Sequence, residues 1–352
     1  MPRDLNIDIE HFKNLDLEDP FFDSLKASYA EFKSWFVRKG EETAYVMRDV
    51  SGKLQALLYL KEEQGEVTDT SPPLPDDHYL KVGTFKINAH GSKLGERFIK
   101  KIFDHALEKN VNKIYVTVFS THTPLILLLE KFGFVKHATK TTDNGTEVVL
   151  LKDLQEARGD VLKDYPLIKM DKNQYLLAIY PDYHTRLFPD SILNNEDSRI
   201  VDDISHTNSI EKIYICKMPR VSTLDYGDSL VIYRTTDRNG QAKFRSVATS
   251  ICVVEEIKQK SDFSNLSEFL KYCSSRSVFS TDELTKMYSG WEKIFTIKLT
   301  YNIALNRRIN RQSLINDVGL PEKSYWGIMQ LTAHQLKDIA CRGGIDDSLI
   351  ID

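Results

Sequence analysis

Between residues 19 and 39 the apolar positions fall three and four apart: Phe21, Phe22, Leu25, Tyr29, Phe32, Trp35 and Phe36. That spacing places them on one face of a helix. Asp19-Pro20 reads as a cap with proline in the first turn, so residues 9–39 are expected to be helical. Residues 43–47 and 54–60 read as two strands joined by a turn at 49–52. Residues 62–77 are acidic and contain Ser71-Pro72-Pro73-Leu74-Pro75, which predicts a loop. A strand is expected over 79–87. A helix should follow over 94–109, with Phe98, Ile102, Phe103, Ala106 and Leu107 on one face. Residues 113–119 read as a strand: after Lys113 every position is β-branched or aromatic, the texture of a strand inside a sheet. Pro124 opens a helix over 123–132, and Asp143-Asn144-Gly145 turns a hairpin over 134–151.

Residues 153–173 are polar and irregular and are expected to be the junction between two domains. From residue 174 the chain predicts short strands over 175–180, 210–216, 229–235 and 244–257. Helices follow over 266–273 and 281–288, then a strand over 294–301 and a helical stretch over 331–341. The expected fold class is α/β followed by mostly β. A mixed sheet flanked by helices fills residues 1–152, and a small β-barrel with helical insertions fills 174–352.

The length, 352 residues, agrees with two domains. A hydrophobic content of 41% beside 28% charged residues belongs to a globular chain rather than a disordered one. No apolar run approaches the roughly 18–20 residues of a membrane helix. The start of the chain has no apolar signal segment, so no membrane partner and a cytoplasmic location are expected. Cys216, Cys252, Cys273 and Cys341 form no CxxC pair and read as structural thiols.

The net charge of −4 excludes a general basic field for nucleic acid. Its distribution is uneven. Residues 1–80 carry 9 Lys and Arg against 17 Asp and Glu, whereas residues 81–152 carry 12 against 6. The positive stretch holds the first candidate site. Phe85-Lys86-Ile87 ends a strand, His90-Gly91-Ser92-Lys93 turns, and Leu94-Gly95-Glu96-Arg97 opens a helix. A helix start exposes unpaired N–H groups and a partial positive charge, which suits phosphate. Glycine lets backbone approach the phosphate oxygens, and Lys86, Lys93 and Arg97 add positive charge.

With Lys131-Phe132-Gly133-Phe134 at the end of a later helix, this turn makes residues 20–152 resemble the GNAT N-acetyltransferase family. The family's phosphate turn reads Arg/Gln-x-x-Gly-x-Gly/Ala; here it is His90-Gly91-Ser92-Lys93-Leu94-Gly95. His90 replaces the preferred Arg or Gln, and Lys93 the preferred Gly. The resemblance implies acetyl-CoA or another acyl-CoA as cofactor. It implies that the strand at Phe85-Lys86-Ile87 binds the pantetheine arm through its backbone, and that an amine attacks the thioester directly. Many members place a tyrosine three residues before the Phe-Gly-Phe triplet to protonate the leaving thiolate; Leu129 stands there. His90, His122, His78 and Glu63 are the candidate bases. His122 leads, because it follows a central strand, where sites of open sheets collect.

In the second half, Tyr226-Gly227-Asp228 precedes an apolar strand ending Tyr233-Arg234, and a strand of small residues follows. This resembles the PUA superfamily, in its ASCH and EVE branches. The resemblance implies a barrel that binds RNA, tRNA or a modified nucleotide. Residues 180–191 and His206-Thr207-Asn208-Ser209 gather the amides, hydroxyls, cations and rings of a base pocket. The candidate contacts are His184, Arg186, Asn208, Ser209, Tyr233 and Arg234, with Arg307 and Arg308 (beside Arg311) on phosphates. Asp182, His184, Asp190 and His206 lack the paired spacing of a metal site, so no metal is expected. Trp291, Tyr301 and Trp326 read as core aromatics.

Three functions fit these readings. The first is an acyltransferase whose second domain presents RNA or aminoacyl-tRNA. The second is a regulatory module that senses coenzyme A or a nucleotide without turnover, and the third is a toxin-like acetyltransferase.

Overall fold

A computed structural model describes residues 7–49, 51–88, 94–189, 209–236 and 242–351. The chain forms two units, Met1–Glu156 and Ala157–Asp352, and is mixed α/β with two main sheets.

The first unit runs β1 (Ile7–His11), α1 (Asp23–Ser28), α2 (Phe32–Arg38), β2 (Thr43–Arg48), β3 (Leu54–Val67), β4 (Leu74–Ile87), α3 (Leu94–Glu108), β5 (Lys113–Phe119), α4 (Thr123–Lys131), β6 (Val135–Thr142) and β7 (Gly145–Asp153). Its seven strands lie in the order β1-β2-β3-β4-β5-β7-β6. Every pairing is antiparallel except that of β4 with β5. A parallel neighbour requires a crossover, which α3 supplies.

Two expectations for this unit change. Residues 9–39 are not one helical stretch. Ile7–His11 is an edge strand paired with Thr43–Met47, and two short helices follow. The apolar spacing is still used: Phe21, Phe22, Phe32 and Phe36 are buried with Phe12, Leu57 and Tyr59. Nor is 62–77 a loop. β3 and β4 continue through it as a hairpin, pairing Glu63 with Tyr79, Gln64 with His78 and Val67 with Leu74. Partner strands and lysines compensate for loop-like composition. Lys113 bonds Asp77, and Lys140 bonds Asp69 at 2.5 Å.

The Lys131-Phe132-Gly133-Phe134 run ends α4. Gly133 has φ +86°, the left-handed conformation that closes helices. Phe132 and Phe134 are buried, and the Phe134 N–H donates to the Leu129 carbonyl at 3.2 Å.

The second unit runs β8 (Ile168–Lys169), β9 (Gln174–Ile179), α5 (Pro181–Leu187), β10 (Glu211–Cys216), β11 (Ser229–Arg234), α6 (Ala242–Arg245), β12 (Val247–Gln259), α7 (Leu266–Cys273), α8 (Thr281–Gly290), β13 (Phe295–Asn310), α9 (Arg311–Asn316), β14 (Ile328–Leu331), α10 (Ala333–Arg342) and β15 (Ile350–Ile351). Six strands make its main sheet, in the order β10-β13-β12-β11-β9-β14. Part of the expected 153–173 junction is built into this unit: β8 pairs with β15, and the Tyr165 hydroxyl donates to the Tyr301 carbonyl at 3.1 Å. Residues 181–187, within the expected pocket segment 180–191, are helical, with proline in the first turn. The strand expected over 294–301 continues to Asn310, because β12 is long enough to pair with it throughout.

Cys216, Cys252 and Cys273 are buried and Cys341 is exposed; all four are free thiols. Among the described residues no helix is long and apolar enough to cross a membrane. No group of three His, Cys, Asp or Glu among them is placed to hold a metal.

Candidate functional site

The β4–β5 ladder is short. Its register runs from Tyr79–Lys113 to Val82–Val116 and stops, while β4 continues to Ile87 and β5 to Phe119. On its other edge β4 remains paired with β3 as far as Ile87. The two central strands therefore diverge beyond Val82, and the β4 edge from Gly83 to Ile87 faces the gap between them.

The divergence coincides with a bulge. Tyr59 pairs with Thr84 but Leu60 with Val82, so Gly83 is the extra residue. The bulge sets which side chains face which way. Phe85 and Ile87 face α3: the Phe85 ring lies 6.0 Å from that of Phe98, and Ile87 reaches towards Gly95. Lys81, Thr84 and Lys86 share the opposite face. Gly83 is enforced sterically, since a Cβ there would lie 2.6 Å from the Tyr59 ring. Tyr59 cannot retreat. It is buried, its hydroxyl bonds Glu42, and its ring meets those of Phe12 and Trp35 edge-on at 5.4 and 5.7 Å. Gly83 was not among the expected site residues. The signal for it is a glycine inside a strand pattern, which marks a bulge or a close backbone approach.

The expected cofactor residues fare differently. His90, Gly91, Ser92 and Lys93 lie outside the described residues. Leu94 opens α3 and is buried. Gly95 lets α3 meet α4, because a Cβ there would lie 2.7 Å from a Leu128 methyl. Glu96 and Arg97 are 5% and 3% exposed. The Glu96 carboxylate is 3.9 Å from Lys131, and Arg97 reaches the Met47 sulfur at 4.0 Å. The positive charge expected of Arg97 is thus turned into the fold. Lys86 is likewise committed: its ammonium donates to the Phe21 carbonyl and to Ser24 Oγ at 2.5 Å, over the Phe21 ring.

Of the candidate bases, His122 is exposed at the start of α4, its ring 6.5 Å from that of Phe119. Among the described residues nothing hydrogen-bonds to that ring. His78 lies on the β3–β4 hairpin, 3.2 Å from Glu62, four residues short of the divergence. Glu63 binds the Tyr115 hydroxyl and Lys61, the latter at 2.9 Å, with Lys81 at 3.5 Å. Burial resists its ionisation, but the bonds from Tyr115 and Lys61 and the charge of Lys81 prevail and hold the carboxyl below its usual range. A carboxylate so well satisfied is a weak proton acceptor. Leu129, at the position of the family's proton donor, is fully buried.

In the second unit, three expected contacts converge. His184 Nε2 is 2.8 Å from Thr249 Oγ1, and the Arg308 guanidinium donates to the Thr249 carbonyl at 3.2 Å. Burial, then the charges of Arg234 and Arg308, push the His184 imidazole down to about 3. Lys212, unforeseen, is fully buried over the rings of Phe188 and Tyr301 at 5.6 and 5.3 Å, and the Phe188 ring lies 5.5 Å from that of His184. The remainder are dispersed. Tyr233 packs on Trp326, with Arg311 on the Trp326 ring. Ser209 Oγ donates to the Glu211 carbonyl at 2.8 Å, Arg186 donates to the Val278 carbonyl, and Arg307 is exposed. Asn208, Asp190 and His206 lie outside the described residues.

No family model and no curated protein matches the chain. Among solved structures it is similar to ASCH from Zymomonas mobilis, with 11% identity, 48% of this chain and 94% of that one covered, and a TM-score of 0.33. It is also similar to an N-acetyltransferase from Staphylococcus aureus Mu50, with 12% identity, 43% and 99% coverage and a TM-score of 0.33. The NatC complex bound to Gag peptide and CoA matches with 13% identity, 42% and 99% coverage and a TM-score of 0.30. The chain is thus similar, over about half its length in each case, to an ASCH protein and to N-acetyltransferases.

Proposed function

We propose that the first unit transfers an acetyl or related acyl group from coenzyme A to an amine. The observation that carries this reading is the parting of β4 and β5 after Val82–Val116, with α3 starting beyond the open end. The β4 edge from Gly83 to Ile87 offers a row of backbone donors and acceptors to the amides of a pantetheine arm. The start of α3 offers its N–H groups to the diphosphate. When bound, the thioester supplies an activated acyl carbon on which the amine displaces the thiol. The chain's own part is to position the reactants and exclude water. Leu129 has no proton to give, so the chain offers no acid at that position for the leaving thiolate.

Calorimetry on the full chain tests this. Acetyl-CoA is expected to bind with a dissociation constant of about micromolar order. Gly95→Asp, which drives a charged side chain between α3 and α4, is expected to raise that constant by about a hundredfold or more. An absence of saturable binding of acetyl-CoA and of CoA would overturn the reading.

We read the second unit as the PUA-like barrel that presents an RNA, tRNA or aminoacyl-tRNA acceptor. The nearness of Arg234 and Arg308 to His184, with Arg308 on the Thr249 carbonyl, supports it, because paired cations suit phosphate. Radiolabel from acetyl-CoA is expected in cellular RNA or charged tRNA. Label confined to proteins and free amines would count against this part alone.

A further inference from the structure

One surface of the second unit alternates cations with aromatic rings. The Lys260 ammonium lies 5.1 Å over the Tyr288 ring and donates to the Trp291 carbonyl at 2.7 Å. Trp291 packs against the core and carries Lys217 over its ring at 4.2 Å. Met218, next in the chain, accepts a bond at its sulfur from the Tyr325 hydroxyl at 3.5 Å. The Tyr325 ring in turn carries Arg220 at 5.2 Å. The bond from Tyr325 to Met218 joins the segment entering β14 to the loop leaving β10, the two edge strands of the six-stranded sheet.

This strip is exposed where most aromatic rings of the unit are not. Five large apolar side chains of the unit are exposed among the described residues: Tyr180, Tyr183, Tyr226, Phe244 and Tyr325. Three of them gather here. Burial, then Cys216, Tyr180, Tyr325 and Tyr183, push the Tyr214 phenol above its ordinary range, so Tyr180 and Tyr183 are neighbours of Tyr325 around Tyr214. The cations are also unspent. Among the described residues none of Lys217, Arg220 and Lys260 forms an ion pair; each rests on a ring instead. Lys298, by contrast, is held by Glu211 at 2.8 Å.

We propose that this strip is a track for single-stranded nucleic acid, in which bases stack on Trp291 and Tyr325 while phosphates take Lys217, Lys260 and Arg220. Flat rings serve any base as a platform, and a cation beside each ring meets the backbone between bases. An exposed cation–π contact is weak, and no carboxylate anchors Lys217. Its ammonium can therefore leave the Trp291 ring for a phosphate when a base takes the ring. An acidic peptide would satisfy the cations but offer the rings no flat partner, and a duplex keeps its base faces stacked inside. The inference rests on the RNA reading of the second unit for the kind of ligand and adds the surface that the strand follows. None of the track residues belongs to the His184, Arg234 and Arg308 group.

The test is fluorescence anisotropy of a labelled eight-nucleotide oligouridine with the full chain, Lys217→Ala, Tyr325→Ala, Trp291→Phe and Tyr226→Ala, each first compared by thermal melting. For the wild type, log affinity should fall against log salt with a slope of about −2, that of three phosphates of a single strand. Lys217→Ala should reduce the slope to about −1.4, and Tyr325→Ala should raise the dissociation constant about tenfold. Tyr226, exposed beside Asp160, Glu255 and Asp164, lies off the track, and Tyr226→Ala should bind as the wild type does. Trp291→Phe should keep the affinity within about threefold and lose most of the protein-fluorescence quench that binding causes. Wild-type affinity and slope in both Lys217→Ala and Tyr325→Ala, or an undiminished quench in Trp291→Phe, overturns the track and leaves RNA binding by the second unit standing. An eight-residue polyglutamate that competes as well as the oligonucleotide also overturns it, in favour of an acidic protein partner. No binding of the oligonucleotide by the wild type overturns the track and the RNA reading together. The expected pattern, with no radiolabel reaching RNA, upholds the track and overturns the acceptor role alone.

Discussion

Gly83→Val is expected to eliminate detectable acetyl-CoA binding in calorimetry and to destabilise the first unit by about 1–3 kcal/mol, the usual cost of forcing atoms into a packed site. A Cβ at residue 83 would sit 2.6 and 2.9 Å from two Tyr59 ring carbons. That ring is held by Phe12, Trp35 and Glu42 and cannot move without opening the aromatic core. The cheaper relief is to flatten the bulge. Flattening removes the one-residue shift between Tyr59–Thr84 and Leu60–Val82. A one-residue shift exchanges the faces of every later side chain. Phe85 would then leave Phe98, and Lys86 would leave Phe21 and Ser24. The β4 edge proposed to bind pantetheine would no longer be presented. Gly52→Ala is a useful comparison, because Gly52 has φ +85° with nothing within 4 Å of a built Cβ. It should cost only about 1 kcal/mol through backbone strain and leave coenzyme binding intact. A Gly83→Val protein that still bound acetyl-CoA tightly would separate the bulge from the coenzyme site.

The second large effect is a pH dependence in the other unit. His184 is fully buried and its imidazole is pushed from 6.5 down to about 3, by burial first and then by Arg234 and Arg308. The folded state thus holds it neutral, whereas the unfolded chain protonates it below about pH 6.5. Its stabilising contribution is complete above that pH and is lost progressively on acidification towards pH 3. Between pH 6.5 and 4.5 the loss is about 2 kcal/mol, the slope approaching about 1.36 kcal/mol per unit of pH once the unfolded imidazole is fully protonated. Denaturant melts of the wild type should show this acid limb. His184→Gln retains an amide for the Thr249 hydroxyl but no titration, and should flatten the limb over that interval. Trp291 and Trp326 belong to this unit and Trp35 to the other, so the difference in fluorescence between the wild type and His184→Gln reports on this unit. Parallel pH profiles for the two proteins would show that His184 is not the group being protonated.

Much of the first unit is legible without a structure, and the reason is local. The helix Leu94–Glu108 shows a single apolar face, the strand Lys113–Phe119 a run of β-branched and aromatic residues after its lysine, and the last hairpin an Asn-Gly turn. Each signal sits within a few residues of what it specifies. The errors fall where distant partners overrule composition. Ile7–His11 is a strand because Thr43–Met47 lies beside it, and the acidic 62–77 segment is a hairpin because its two arms pair with each other.

The candidate site divides along the same line. A helix closed by Phe132-Gly133-Phe134 is a statement the sequence makes unaided. It depends on the left-handed conformation of Gly133, which few residues besides glycine adopt, and on apolar spacing along one helix. Only the folded chain decides where β4 leaves β5, that Gly83 is the bulged residue beneath Tyr59, and that Lys86 and Arg97 spend their charge inside the protein. It alone joins His184 to Arg234 and Arg308, and Tyr29 to Glu147. Those facts depend on strand register and on contacts between residues far apart in the chain. Neither is encoded in any short window, because the free energy that selects them is a sum over partners from several elements.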